Sequence, residues 1–399
     1  MNKWQITRLD QCARIVGGST PKTSVKDYWD GEIYWATPKD LSNLESPNLE
    51  GTPRKITKAG LDSCGAEVLP EGSVLFSSRA PIGHVAINCV PMATNQGFKS
   101  FVPDPEKLDA KFLYYWLRKN RTFFNSLGNG ATFKEVSKAI VSRIEIPLPP
   151  IAQQKRIAAI LDKAEELRSL RRQALGALDA IAQSIFLEMF GDPTTNPKSW
   201  IRVRFSDLLS AIESGRSPNC LDRPVEDEEW GVLKLGAVTW CEYNPLENKA
   251  LPSNEKPDLS LEVKPGDLLF TRKNTFELVA ACALVRSTPP HLLLPDLIFR
   301  FRTKPNAPID LCFLHQLLIN PAKRREIQKL ASGSASSMPN ISKTKLETVL
   351  IEVPPLSLQQ EFARRVEAIE QLKTTHRQSL TQLDALFASL QHRAFRGEL

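Results

Sequence analysis

No apolar run in this 399-residue sequence approaches the roughly 18–20 residues that a membrane-crossing helix needs. The opening stretch from Met1 to Arg8 lacks the apolar centre of a secretory signal. Both absences point to a soluble, cytoplasmic protein. The seven cysteines (Cys12, Cys64, Cys89, Cys220, Cys241, Cys282, Cys312) are scattered, odd in number and never spaced C-x-x-C. That argues against a disulfide framework or metal site and for reduced, mostly buried thiols. The five histidines are isolated as well.

Catalytic signatures are missing too. There is no G-x-x-x-x-G-K-[ST] phosphate loop. Gly128-Asn-Gly130 is a G-x-G with no strand before it and no helix after it, so it reads as a flexible loop. The Asn/Asp-Pro-Pro-aromatic element of a DNA amino-methyltransferase is not supplied by Asp192-Pro193 or Asn244-Pro245. Asp258 followed by Glu262 and Lys264 superficially suggests a nuclease core, but the intervening segment is too short to place them on adjacent strands. The acidic run Glu226–Glu229 reads as a solvated loop. No catalytic residue, metal ligand or cofactor site is expected. Strong charge of one sign is also lacking. The net charge is +7, with 19 Lys/Arg against 15 Asp/Glu in residues 1–148 and 21 against 20 in residues 191–352. Any nucleic-acid surface must therefore be a local patch.

What the sequence has is two long helical stretches. After Pro147–Pro150, apolar residues recur at Ile157, Leu161, Ala164, Leu167, Leu170, Ala174, Leu178, Ile185 and Met189, with a period near 3.5. That is the seam of a coiled-coil partner face. The prolines exclude a helix before it, and Gly191-Asp-Pro193 stops it. At about 1.5 Å per residue such a helix spans roughly 55–60 Å. After Pro354-Pro355 the pattern returns, with a seam through Phe362, Val366, Ile369, Leu372, His376, Leu380, Leu383, Phe387 and Leu390. Gln153-Gln154 in the first lead matches Gln359-Gln360 in the second. Two alike helices can pair and bury both seams. The residues expected to carry the pairing are Ile157, Leu161, Leu167, Leu178, Ile185, Phe362, Val366, Ile369, Leu383 and Phe387.

The repeat extends beyond the helices. Gly17–Pro21 is echoed by Gly215–Pro218, Tyr34–Leu41 by Gly231–Val238, and Pro70–Phe76 by Pro265–Phe270. Asp109–Leu117 matches Asp310–Leu318, and Val136–Lys138 matches Ile341–Lys343. A shared order with a period near 200 residues means a duplicated globular unit plus long helix, far from a solenoid repeat. Each unit reads as mixed α and β, with strands at Val74–Phe76, Val85–Ile87 and Phe98–Val102 and their copies at Leu268–Phe270, Val279–Val285 and Leu297–Phe301. Helices are expected at Leu108–Asn120 and Asp310–Asn320.

The remaining loops are rich in residue types that read nucleic acid. Arg grips guanine O6/N7, Asn or Gln grips adenine N6/N7, and Lys or Ser contacts phosphate. The candidates are Lys39, Ser77, Ser78, Arg79, Asn95, Gln96 and Lys134 in the first unit. In the second they are Arg216, Lys234, Arg272, Lys273, Asn274, Arg300 and Lys343. Their recurrence at equivalent places in both units outweighs any single one of them.

This pattern resembles the specificity subunit of type I restriction-modification enzymes. The resemblance rests on the alternation of globular unit and helix and on a G-x-[TS]-P element in each unit, Gly18–Pro21 and Gly215–Pro218. It rests also on Phe76–Ile87, on Asn95–Phe98, on the Pro-Pro-x-x-x-Gln leads, and on the ends Phe190–Asp192 and Ala394–Leu399. Arg272–Glu277 departs from it by lacking the R-x-P-x-G of Arg79–Gly83. The resemblance implies an α+β chain of two mixed α/β target recognition domains joined by two long antiparallel coiled-coil-like helices, with internal pseudo-two-fold duplication. The boundaries expected are 1–148 and 193–352 for the recognition domains and 149–192 and 353–399 for the helices. It implies a non-catalytic role: each domain reads half of a split, asymmetric site in double-stranded DNA. The implied partners are two copies of a modification (methyltransferase) subunit and a restriction/motor subunit. The rival readings are an enzyme with fused recognition domains and an adaptor that joins partners without reading bases.

Overall fold

The computed structural model describes residues 4–42, 44, 46–79, 81–128, 134–333 and 338–399. The polar loops expected at 128–132 and 333–337 fall largely outside them, as does Ala80. The chain divides into two compact units, Met1–Ala174 with His376–Leu399, and Leu175–Thr375.

In the first unit the strand Gln5–Arg8 pairs antiparallel with Glu145–Leu148. The strand that leads into the proline-rich segment is thereby tied to the start of the fold. A five-stranded sheet has the order Ala13–Gly17, Lys99–Pro103, Val74–Phe76, Val85–Asn88, Asn48–Leu49. A three-stranded sheet has the order Lys55–Ile56, Trp29–Ala36, Met92–Thr94, the last pair parallel. The helix Ala110–Lys119 starts where the Asp109 carboxylate accepts from the Phe112 N–H, an N-cap that satisfies one of the orphan donors of the first turn. Its buried Phe112, Leu113, Tyr115 and Trp116 pack with Phe76, Phe101 and Phe124.

The second unit repeats this plan. Ile201–Arg204 pairs with Leu350–Val353. The larger sheet runs Leu209–Ser214, Ile298–Thr303, Leu268–Thr271, Cys282–Leu284, and the smaller runs Asn248–Ala250, Gly231–Leu233, Leu292–Leu293. The helix Leu311–Ile319 is capped by Asp310 as its counterpart is by Asp109. Register fixes the correspondence residue by residue. Phe101 lies opposite Val74 and Ile15, and Phe301 lies opposite Leu268 and Ile212. Counting from these pairs, Gln96 corresponds to Asp296, Gly97 to Leu297 and Lys99 to Phe299.

The long helices span Ile151–Phe190 and Leu356–Ala394. Within each unit the two run antiparallel, as expected. In the first, Gln153 bonds the Leu399 carbonyl, Arg168 bonds Asp384 at 2.6 Å and Arg171 meets His376 at 3.0 Å. In the second, Lys373 pairs with Asp179 at 2.7 Å, and the rings of Phe186 and Phe190 pack on Phe362.

The continuous apolar seam needs correction. Ile157, Leu161, Phe362, Val366, Ile369 and Phe387 are buried, but Leu178, Ile185 and Leu383 are half-buried, and Leu167 is 42 % exposed. Leu170 and Leu372 are each 52 % exposed. The reason is local. Where the helices lie against a globular core their apolar residues join it, as Ile157, Leu161 and Ala164 do in the first unit and Phe186, Met189, Phe362 and Val366 do in the second. Away from the cores the contact is carried by charge, with Arg168 bridging Glu165 and Asp384 and Lys373 bridging Asp179 and Glu370.

The proline-rich leads have a built purpose. Gln154 is fully buried; its Oε1 accepts from Asp109 N–H, and its Nε2 donates to the carbonyls of Lys107 and Pro149. Gln359 does the same with Asp310, Pro308 and Pro354. The equivalent glutamines are thus Gln154 and Gln359, one residue off the pairing expected from sequence. Each locks the first turn of a long helix to the capped helix of its own unit.

Candidate nucleic-acid interface

In the first unit a cleft of about 380 Å³ opens between the segment Thr37–Ser42, the loop Asn95–Gly97, and Arg79 with Pro81. It gathers four of the expected residues, Lys39, Arg79, Asn95 and Gln96. The backbone explains why they converge. The Asp40 carboxylate accepts from the Thr37 N–H and hydroxyl, closing the turn that carries Lys39. The Asn95 side chain accepts from the Gly97 N–H, a local turn that projects Gln96 outward. The turn Gly17–Pro21 crosses behind this loop. A Cβ on Gly18 would lie 1.9 Å from the Asn95 carbonyl oxygen, so only glycine fits there. That close approach lets the Thr20 hydroxyl donate to Gln96 Oε1.

Charge at the cleft is organised around Glu135. Arg79 Nε and Nη2 both donate to its Oε2, at 3.1 and 2.6 Å, and Lys99 Nζ lies 3.1 Å from Oε1. Burial works against ionisation of Glu135, but these bonds outweigh it and hold the carboxyl below its usual range. Arg79 keeps Nη1 for another partner, and its side chain is 40 % exposed. Lys39 is exposed and has no ion-pair partner among the described residues. Lys134, next to Glu135, is exposed as well.

The second unit builds the same scaffold with different chemistry. Gly215 takes the place of Gly18, where a Cβ would sit 1.6 Å from the Leu294 carbonyl oxygen. The Ser217 hydroxyl donates to Asp296 as Thr20 does to Gln96. Arg79 pairs in a β-bridge with Glu135, and Lys273 does so with Asn340. Lys273 therefore corresponds to Arg79, while Arg272 corresponds to Ser78. Asn340 offers no carboxylate, and Lys273 has no ion-pair partner among the described residues. Phe299 replaces Lys99, and Arg272 and Lys343 lie over its ring at 5.4 and 5.6 Å. Arg272 Nε also donates to the Asp296 carbonyl at 2.8 Å. Lys234 pairs with Glu247 at 3.1 Å, while Arg216 is exposed.

Four expected contacts give way. Ser77 and Ser78 are fully buried, donating to the carbonyls of Pro81 and Gly97. Asn274 is buried, bonding Thr239 and the Thr275 N–H. Arg300 is 1 % exposed and bonded to Glu213, Asp267 and two backbone carbonyls. A strand residue whose charge is already matched inside the fold has none left for DNA. Sequence reasoning in turn misses Thr20, Ser217, Asp296, Lys99 and Glu135. The first two were within reach, because they stand in the repeated G-x-[TS]-P element. Glu135 and Lys99 meet only through long-range pairing.

All seven cysteines are free; Cys12 and Cys282 are buried and the other five half-buried, fewer buried than expected. Glu229, in the acidic run, is gripped by Arg223 at 2.6 and 2.7 Å. Among the described residues no His/Cys/Asp/Glu group is disposed to hold a metal, and no helix is long and apolar enough to cross a membrane.

The two units thus carry an amide or a carboxylate, with cations nearby, at matched positions of one scaffold. The family model for the type I restriction modification DNA specificity domain matches residues 1–177 and 262–385. The chain belongs to that family. It is 34 % identical over 230 residues to the type I restriction enzyme MjaIX specificity subunit of Methanocaldococcus jannaschii, covering 53 % of this chain and 52 % of that one. Thus the chain spans about half the length of this relative. It is 24 % identical over 420 residues to the EcoKI specificity subunit of Escherichia coli, covering 99 % of this chain and 89 % of that one. In fold it is similar to the S subunit of a type I restriction-modification system from M. genitalium, with a TM-score of 0.58, 12 % identity, and coverage of 99 % of this chain and 97 % of the other. It is similar too to a chain solved in a study of complex assembly and conformational transition of the type I system, with a TM-score of 0.56, 20 % identity, and coverage of 100 % and 99 %.

Proposed function

We propose that this chain is the DNA-reading subunit of a type I restriction-modification complex. Residues 1–148 and 193–352 each read one half of a split, asymmetric site in double-stranded DNA, and residues 149–192 and 353–399 act as spacers. The observation that carries this reading is the recurrence in both units of one scaffold, the glycine turn pressed on the loop and the bridge at Arg79 or Lys273, with different side chains on it. A reader of an asymmetric site needs a common scaffold and unlike base contacts. The cleft set is Lys39, Arg79, Asn95 and Gln96, with Lys134 at its edge. Its counterpart is Arg216, Lys234, Arg272, Lys273 and Lys343. The chain itself is non-catalytic and cytoplasmic. Two copies of a methyltransferase subunit and a restriction/motor subunit supply the chemistry.

Methylome sequencing of a host carrying this chain with its modification partner tests the proposal. The expected result is one bipartite motif with a fixed gap. An undivided motif, or methyl transfer by the isolated chain given a methyl donor, overturns it.

A further inference from the structure

We infer that Gln96 and Asp296 are the base-reading positions of the two units, Gln96 selecting adenine in one half-site and Asp296 selecting cytosine in the other. The inference rests on the DNA-reading function proposed above. The two residues occupy the same place, in the loop entering the strand that carries Phe101 or Phe301. Each is held by a hydroxyl from the same tight turn, Thr20 on Gln96 and Ser217 on Asp296. The turn is pressed onto the loop so closely that Gly18 and Gly215 have no room for a Cβ. A side chain held this way loses little rotamer freedom on binding, which is what a specificity contact needs. Both remain accessible: Gln96 is exposed, and the Asp296 side chain is 43 % exposed.

The neighbours do not compete for the role. Ser77 and Ser78 are buried. Asn95 uses its carbonyl on Gly97 and is replaced by Pro295 in the other unit. The cations beside each position, Arg79 at Gln96 and Arg272 at Asp296, suit phosphate or guanine. The Asp296 carboxylate, partly exposed and only loosely paired with Arg272, is unfavourable against a polyanion unless it also meets a donor on the DNA. In the major groove the matching donor for an acceptor-only side chain is the cytosine N4 amino group, whereas a carboxamide pairs with adenine N6 and N7. The Ser217 contact occupies Oδ1 of Asp296, while Oδ2 lies 3.9 Å from Arg272 Nη2, beyond hydrogen-bond length, and has room to accept.

Two isosteric exchanges test this in the full chain with its modification partner, read by methylome sequencing. Gln96→Glu should shift one position of one half-site from adenine toward cytosine. Asp296→Asn should shift one position of the other half-site from cytosine toward adenine. Each shift should be roughly tenfold or more in preference, with the unaltered half-site unchanged. If both variants fold with the wild-type melting temperature and keep the parental motif at every position, these residues do not read bases, while the DNA-reading function stands. If the parental chain directs no bipartite motif at all, that function fails first. Should one exchange prevent assembly, the other decides alone, because it lies in the other unit.

Discussion

Arg79 and Lys273 show how one backbone position takes on two duties. Arg79 turns its Nε/Nη2 edge to Glu135, and Lys273 has no such carboxylate because Asn340 stands in its place. The Arg79–Glu135 pair is partly exposed, so its net worth is about 1 kcal/mol or less. Arg79→Ala should therefore lower the melting temperature little and degrade only the half-site read by residues 1–148. Lys273→Ala, which removes a point charge, should weaken all sequences alike and reduce the salt dependence by about one unit of slope. Binding titrations against salt, with each half-site varied in turn, separate the two. A large melting shift in Arg79→Ala would make it a structural brace. Residue chemistry in the second unit also sets a pH response. His315 is buried, its Nε2 within 3.3 Å of the Cys241 and Cys282 carbonyls. Burial, with Arg286 nearby, drops its pKa from 6.5 to about 4. Between those values the unfolded chain takes up a proton that the folded unit refuses. Stability should thus fall as pH drops from about 6.5 to about 4, and by no further amount from this group below that. His315→Gln, which keeps an amide donor for the carbonyls, should flatten that part of the denaturant-midpoint profile. An unchanged profile would assign the acid response to other groups.

At the scale of elements, sequence periodicity located the two long helices and their ends, because prolines, glycines and apolar spacing act locally; their antiparallel sense came with the family resemblance. It overstated the seam. Leu161 and Leu170 look alike in the pattern, yet Leu161 is fully buried and Leu170 is 52 % exposed. Which stretch of helix lies under a globular core depends on contacts that helical spacing does not encode. Leu161→Ala should cost roughly 2–5 kcal/mol, and Leu170→Ala well under 1 kcal/mol. Chemical denaturation of the two variants checks this; equal losses would restore a continuous apolar seam. By the same reasoning Leu178→Asp, at a half-buried site, should cost less than a charge placed at Leu161. The buried glutamines were legible as repeated letters but not as a mechanism. Only folding reveals that Gln154 and Gln359 each close a three-bond clasp.

At the scale of the whole molecule, duplication was the strongest signal, because the same order of weak motifs twice over is improbable without a shared fold. The matching sheets and caps agree with it down to register. The site was less legible, since equivalent loop positions carry unlike side chains: Lys39 corresponds to Gly236 and Asn95 to Pro295. The helix Ile151–Phe190 begins in one unit and ends in the other. If the long helices are spacers, their length enters the DNA motif directly. Four residues inserted after Gln173 add about one turn, or roughly 6 Å, close to two base-pair steps. The insertion lies where contacts are polar and side chains exposed, with Arg172 and Gln173 open to solvent, so neither apolar core is disturbed. The methylated motif should keep both halves and lengthen its gap. The added turn also rotates the C-terminal part of the helix by about 40° relative to its parental phase, since four residues exceed the 3.6 of one turn. A three-residue insertion errs in the opposite sense, so comparing the two separates length from phase. A gap unchanged by either insertion, with both halves still read, would show that the helices hold the units without measuring the DNA.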